Sequence, residues 1–125
     1  MRPKYGTASI VLARTPLAEA SALLYLLTSD FGLVKARAQG VRKAGAKLAP
    51  ALQTFMECDA LLVRGKDGWR LSGAVLVEDW FSKLPPHARK RAGRVARLLL
   101  RLVPGESLDA PLYATFRPFI EALST

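Results

Sequence analysis

Hydrophobic periodicity changes once along this chain, and the change limits the folds open to it more than any other feature. From Thr7 to Glu78 apolar and polar residues alternate over short runs punctuated by turn signals, the pattern of strands with one buried face. Five strands fit. The first spans Thr7–Arg14 and is ended by Pro16; the second, Ser21–Thr28, is ended by the turn Ser29, Asp30, Phe31, Gly32. The third, Leu33–Gln39, alternates most cleanly, with Val34, Ala36 and Ala38 on one face and Lys35, Arg37 and Gln39 on a wet, positive one. A basic stretch from Gly40 to Leu52 reads as a mobile loop or a short helical crossover. The fourth strand covers about Gln53–Arg64, and the hairpin turn Gly65, Lys66, Asp67, Gly68 leads into the fifth, Trp69–Glu78.

Beyond Asp79 the spacing becomes helical. After Pro85 and Pro86, the stretch His87–Val103 sets Ala88, Ala92, Val95, Leu98, Leu99 and Leu102 against Lys90, Arg94, Arg97 and Arg101, with the leucines expected in the core. Pro104 and Gly105 stop this helix. A second runs from about Ala110 to Leu123, with Phe116, Phe119, Ile120 and Leu123 facing the core and Pro118 as a kink. The expected fold class is mainly β: a small five-stranded barrel of the OB type over residues 1–79, then a short α-helical appendage over 80–125. A five-stranded SH3-like barrel fits the same periodicity.

With 125 residues, half of them hydrophobic, the chain is long enough and apolar enough to bury a core. The longest apolar run, Ala22–Leu27, is too short to cross a bilayer, and Ile10–Ala13 is too brief for a secretory signal, so a soluble cytoplasmic protein without membrane contact is expected. One cysteine, Cys58, excludes an internal disulfide, and with one histidine no four-ligand Cys/His zinc site can form; neither metal nor cofactor is expected. Nineteen Lys and Arg against ten Asp and Glu leave a net charge of +9. The excess is divided: residues 1–50 carry +6, 51–80 carry −2 and 81–125 carry +5. Two basic blocks around an acidic one resemble a binding surface for a polyanion more than uniform solubilising charge.

The candidate nucleic-acid contacts are Arg14, Lys35 and Arg37 on the strands, Arg42, Lys43 and Lys47 in the glycine-bearing loop, and Lys90, Arg94 and Arg97 on the basic helix. The loop is not a phosphate-cradling P-loop: Ala46 separates Gly45 from Lys47, and Leu48 stands where a magnesium-holding Ser or Thr belongs. Phe55 and Tyr25 are candidate base-stacking platforms. Phe55 shares parity with Glu57 and Asp59 and so faces the wetter side, Tyr25 lies in a strand apolar on both sides and is expected in the core rather than at a stacking site, and Phe31 in its turn suits a plug for a barrel end. Asp30, Phe31, Gly32 copies a kinase tripeptide by chance, since no other kinase loop accompanies it. His87 suits a helix start, and Cys58 keeps register with Met56, Ala60 and Leu62 as a buried thiol. No Ser-His-Asp or paired-carboxylate arrangement is present, so no enzyme is expected. The basic helix could instead dock an acidic protein partner, making the chain a small adaptor, or lie on an anionic membrane; the lack of bulky aromatics on it disfavours the membrane. Phosphate contacts alone leave RNA open beside DNA.

One set of residues has a specific order. Ile10, Val11 and Leu12 precede a Pro-x-x-Glu step at Pro16–Glu19; Leu26, Leu27 and Thr28 precede a glycine turn at Gly32; then come Ala38, Gln39, Gly40, Val41, Arg42, Lys43 and finally Leu52, Gln53, Thr54, Phe55. In this order and spacing they resemble the amino-terminal part of the RecO family, bacterial recombination mediators that begin with an OB-fold. The resemblance covers Ala8 to Phe55 and implies binding of single- and double-stranded DNA, annealing of complementary strands, remodelling of single-strand binding protein and recombinase loading with RecR, all without catalysis. It maps the family's basic DNA-contacting region onto Lys35, Arg37, Arg42, Lys43 and Lys47. Ser21, Gln39 and Thr54 depart from the residues the family often carries there. Family members continue into a longer helical domain, often with a four-cysteine zinc site, where this chain has about two helices and one cysteine.

Overall fold

The computed structural model describes residues 3–39, 52–103 and 111–125. Their elements are β1 (Lys4–Pro16), β2 (Ala22–Thr28), β3 (Gly32–Ala38), β4 (Met56–Gly65), β5 (Gly68–Asp79), α1 (Trp80–Lys83), α2 (Pro86–Leu102) and α3 (Leu112–Leu123). The strands close into a barrel in the order β1-β2-β3-β5-β4. Strand β1 pairs antiparallel with both β2 and β4, while β3 meets β5 in a short parallel ladder, Ala36 beside Trp69 and Arg37 beside Arg70. This closure is that of an OB-fold, which settles the choice that periodicity had left open.

Five strands and two longer helices stand where alternation and helical spacing put them, with shifted ends. Strand β1 is longer than its local pattern, because Lys4, Tyr5 and Gly6 pair with Val63, Leu62 and Leu61 of the distant β4, and Thr15 and Pro16 pair with Leu23 and Ala22. Strand β4 starts at Met56, three residues later than expected. Gln53 to Phe55 form a turn instead: the Met56 amide donates to the Gln53 carbonyl at 3.1 Å and Phe55 adopts φ of 64°. Helix α1 was not expected, although its start is written in the sequence: the Asp79 carboxylate caps it, accepting from the Ser82 amide at 3.0 Å and hydroxyl at 2.6 Å.

Two apolar clusters hold the molecule. The barrel interior contains Val11, Leu24, Leu26, Val34, Ala36, Leu62 and Leu71, the inward residues of the alternating strands. The second cluster lies outside the barrel, where Ile10, Leu12, Leu27 and Leu33 meet Trp80, Leu84, Ala88, Ala92, Ala96, Phe116 and Ile120. One end of the β1–β2–β3 sheet is therefore buried on both faces, which explains why β2 is apolar on both sides. Helix α2 packs through Ala88, Ala92 and Ala96, whose small side chains let it approach the sheet closely. Of the leucines expected in the core, Leu99 packs against this cluster, but Leu98 and Leu102 are corrected: they are 52% and 70% exposed. At 3.6 residues per turn Leu98 stands about 160° around the axis from Ala96.

Candidate nucleic-acid interface

Register decides what the outside of the barrel presents. A bulge in β1 shifts pairing between Val11 and Ala13, so that Val11 opposes Leu26 and Ala13 opposes Tyr25. Counting outward positions across β1, β2 and β3 then gives three successive rows. Ile10, Leu27 and Leu33 are covered by the helices; next come Ala13, Tyr25 and Lys35, and last Thr15, Leu23 and Arg37, extended onto β5 by Arg70. Moving along the sheet away from the helices, the surface turns from apolar to cationic.

Lys35 and Arg37 are exposed on β3 while Val34, Ala36 and Ala38 are buried, as their alternation requires. Two residues of rise place them about 6.6 Å apart along the strand. Arg70 stands beside Arg37 across the parallel ladder, one strand spacing away at about 4.8 Å. Lys66, in the β4–β5 hairpin, joins them around a cleft of about 380 Å³ lined also by Gln39, Val63 and Trp69. A second cleft, of about 560 Å³, lies between the sheet and the C-terminal end of α2, where Leu100, Arg101 and Val103 face Ala13, Tyr25, Leu33 and Lys35. The core position expected for Tyr25 is corrected: it faces outward, half-buried, with the Lys35 ammonium 5.8 Å from its ring centroid. Strand β3 thus joins the two clefts. Among the described residues none of Lys35, Arg37, Lys66 and Arg70 is in an ion pair with a carboxylate. Such an array of uncompensated cations produces a positive potential that attracts a polyanion.

The other expected site residues distribute unevenly. Arg42, Lys43 and Lys47 lie outside the described residues. Lys90, Arg94 and Arg97 are exposed on the side of α2 opposite its packed alanines, and Lys90 stands about 16 Å along the axis from Arg101, the α2 cation that lines the second cleft. Arg14 is not on the cationic face. The β1 bulge reverses its parity, and its Nη1 donates to the Leu52 carbonyl at 3.0 Å, tying the chain back to the barrel. Phe55 as a stacking platform is likewise corrected: its ring is 3% exposed in the cluster between barrel and helices, and its amide donates to the Val11 carbonyl at 2.7 Å. Phe55 precedes β4 in a turn, and its ring is covered by the helices.

Glu57 shows the same effect and was the functional group least visible in the sequence. It pairs opposite Ile10 and points outward into the helical layer, where it is 6% exposed. Trp80 Nε1 donates to its Oε1 at 2.8 Å, and the Tyr113 hydroxyl and Arg117 Nε donate to its Oε2 at 3.1 and 3.2 Å. Burial, and then the Glu57 carboxylate, push the Tyr113 phenol up to about 12. The hydrogen bond to Glu57 raises Arg117 further. This carboxylate locks α1 and α3 to the barrel and so fixes the end of the sheet from which the cationic face emerges.

Arg70, Lys66 and Arg101 join the site without having been assigned to it from the sequence. Arg101 had at least the helical spacing of the basic stripe as a signal; the approach of β5 to β3 had none. Phe31 does plug a barrel end, its ring 5.6 Å from that of Tyr5 and 5.2 Å from that of Trp69. Cys58 is fully buried in register with Ala60 and Leu62, and burial pushes its thiol up. No helix among the described residues is long and apolar enough to cross a membrane.

The family described as recombination protein O N terminal matches residues 1–79. Similar proteins include the DNA repair protein RecO of Synechococcus elongatus, 44% identical over 109 residues that make up 87% of this chain and 40% of that protein. Those of Gloeothece citriformis and Dehalococcoides mccartyi are 32% and 28% identical, over 90% and 95% of this chain. The chain spans 40–47% of the length of these three relatives. Because the family match extends over all five strands of the barrel and more than half of the sequence, the chain belongs to the recombination protein O family.

Proposed function

We propose that this chain is a non-catalytic DNA-binding protein of recombinational repair, which holds single strands on the β2–β3 face, anneals complementary ones and assists recombinase loading. The observation that carries this reading is the group Lys35, Arg37, Arg70 and Lys66, four cations around β3 and the β4–β5 hairpin with no carboxylate partner among the described residues. Strand β3 and that hairpin are the parts of an OB-fold suited to an extended phosphate polymer. RecR and single-strand binding protein are the protein partners proposed with it, on the family's account.

Fluorescence anisotropy with single-stranded DNA, duplex DNA and RNA of equal length, at two salt concentrations, tests the reading. Replacing Lys35, Arg37 and Arg70 together by Ala is expected to weaken single-strand affinity and to reduce the salt slope by about 0.7 for each phosphate that is no longer neutralised. Replacing Arg42, Lys43 and Lys47 together measures the share of the loop in the same way. Unchanged affinity and slope in the first variant remove the β3 face from the site.

A second reading has its own observation. Arg94 and Arg101 flank the exposed Leu98 and Leu102 on one side of α2, an amphipathic surface fit for an acidic peptide. If such a peptide binds through Arg94, Arg97 and Arg101 while no oligonucleotide binds at all, the chain is an adaptor.

A further inference from the structure

We propose that the cleft between the C-terminal end of α2 and the sheet is a base-binding subsite that takes one unpaired nucleobase. The inference rests on the DNA-binding reading above and adds to it what is recognised. Three features of the cleft point to a base with its phosphate. Its floor is Ala13, brought opposite Tyr25 by the β1 bulge, so that the place of a large side chain is left open. Its walls are apolar or aromatic, Leu33 and Leu100 with the half-buried Tyr25 ring. Its lining includes two cations from different elements, Lys35 on β3 and Arg101 on α2. An apolar lining with an aromatic ring suits the π-face of any base, and two cations in the same cleft suit the phosphate to which it is attached. A paired base, stacked within a duplex, cannot enter a slot closed on one side by a helix end. Arg37 and Arg70 continue the phosphate path on the far side of Lys35.

The test compares oligothymidylate with an abasic strand of the same length, which keeps phosphates and lacks bases. The native chain is expected to bind oligothymidylate more tightly than the abasic strand. Tyr25→Ala is expected to weaken oligothymidylate binding about fivefold or more, the worth of one stacked base, while leaving abasic binding unchanged. Tyr25→Phe restores the native value. Ala13→Leu fills the floor without removing the ring or a cation and is expected to reproduce the Tyr25→Ala result. Arg101→Ala weakens both strands alike. If both strands bind the native chain equally, or Tyr25→Ala weakens both to the same degree, the subsite is refuted and the phosphate-binding face stands. If the native chain binds neither strand, the DNA-binding reading falls and this inference with it.

Discussion

Glu57 illustrates how one residue is read differently in one dimension and in three. Along β4 its parity with Asp59 marks it as outward, and outward normally means wet. Asp59 is indeed exposed, whereas Glu57, two residues away, is covered by α1 and α3 and serves as acceptor for Trp80, Tyr113 and Arg117. A buried carboxylate is tolerable only with such donors. Tyr113 carries a measurable consequence, since its phenol is raised from 10.0 to about 12. The folded chain keeps that proton over a range in which the unfolded chain has released it. This contribution to stability is complete below about pH 10 and is lost as pH climbs to about 12. Tyr113→Phe is expected to lower stability at neutral pH by about 1 kcal/mol for the lost hydrogen bond. It should also flatten the alkaline decline in that window, as thermal unfolding across it would show; an unchanged decline would detach Tyr113 from the Glu57 network.

Among the elements, β1 and α2 depart most usefully from their sequence patterns. From Ile10 to Ala13 β1 is apolar at every position, and nothing in those residue types announces a bulge. The bulge is fixed by partners, since β1 must pair with β2 and β4 at once, and it turns Ala13 outward and Arg14 away from the cationic face. In α2 the period was legible and so was most of the buried side, since Ala88, Ala92, Val95 and Leu99 pack where their spacing puts them; Leu98 and Leu102 do not, because the stripe centred on Ala88, Ala92 and Ala96 takes the place against the sheet. Close approach to a covered sheet favours small residues there. Ala92→Leu is accordingly expected to destabilise by about 1–3 kcal/mol through overpacking. Leu98→Lys, on the exposed side, should stay within about 0.5 kcal/mol of the native chain. Urea unfolding distinguishes the two; equal costs would mean that the helix is rotated about its axis.

For the molecule as a whole, charge is polarised around the barrel. In the closed order β1-β2-β3-β5-β4, strand β4 lies across from the β2–β3 face. There Asp59 and Asp30 border a groove of about 480 Å³ floored by Gly6, Ala8 and Gly73, far from the cations of β3. Asp59→Asn is therefore expected to leave single-strand affinity within about twofold at physiological salt, where charges beyond about 8 Å are largely screened. A larger change in an anisotropy titration would place the DNA path on the acidic side as well. Much of this organisation can be read without coordinates. Alternation with period two, turn residues between the runs and the single switch to a helical period specify five strands followed by helices, and they set Lys35 and Arg37 on the opposite face from Val34 and Ala36, because those features act between neighbours along the chain. Folding alone could establish which outward faces stay wet and which cations become neighbours. Burial of Phe55 and Glu57, the tethering of Arg14, and the meeting of Arg37 with Arg70 and of Lys35 with Arg101 all depend on segments distant in sequence, whose approach is governed by barrel closure and helix docking rather than by local pattern.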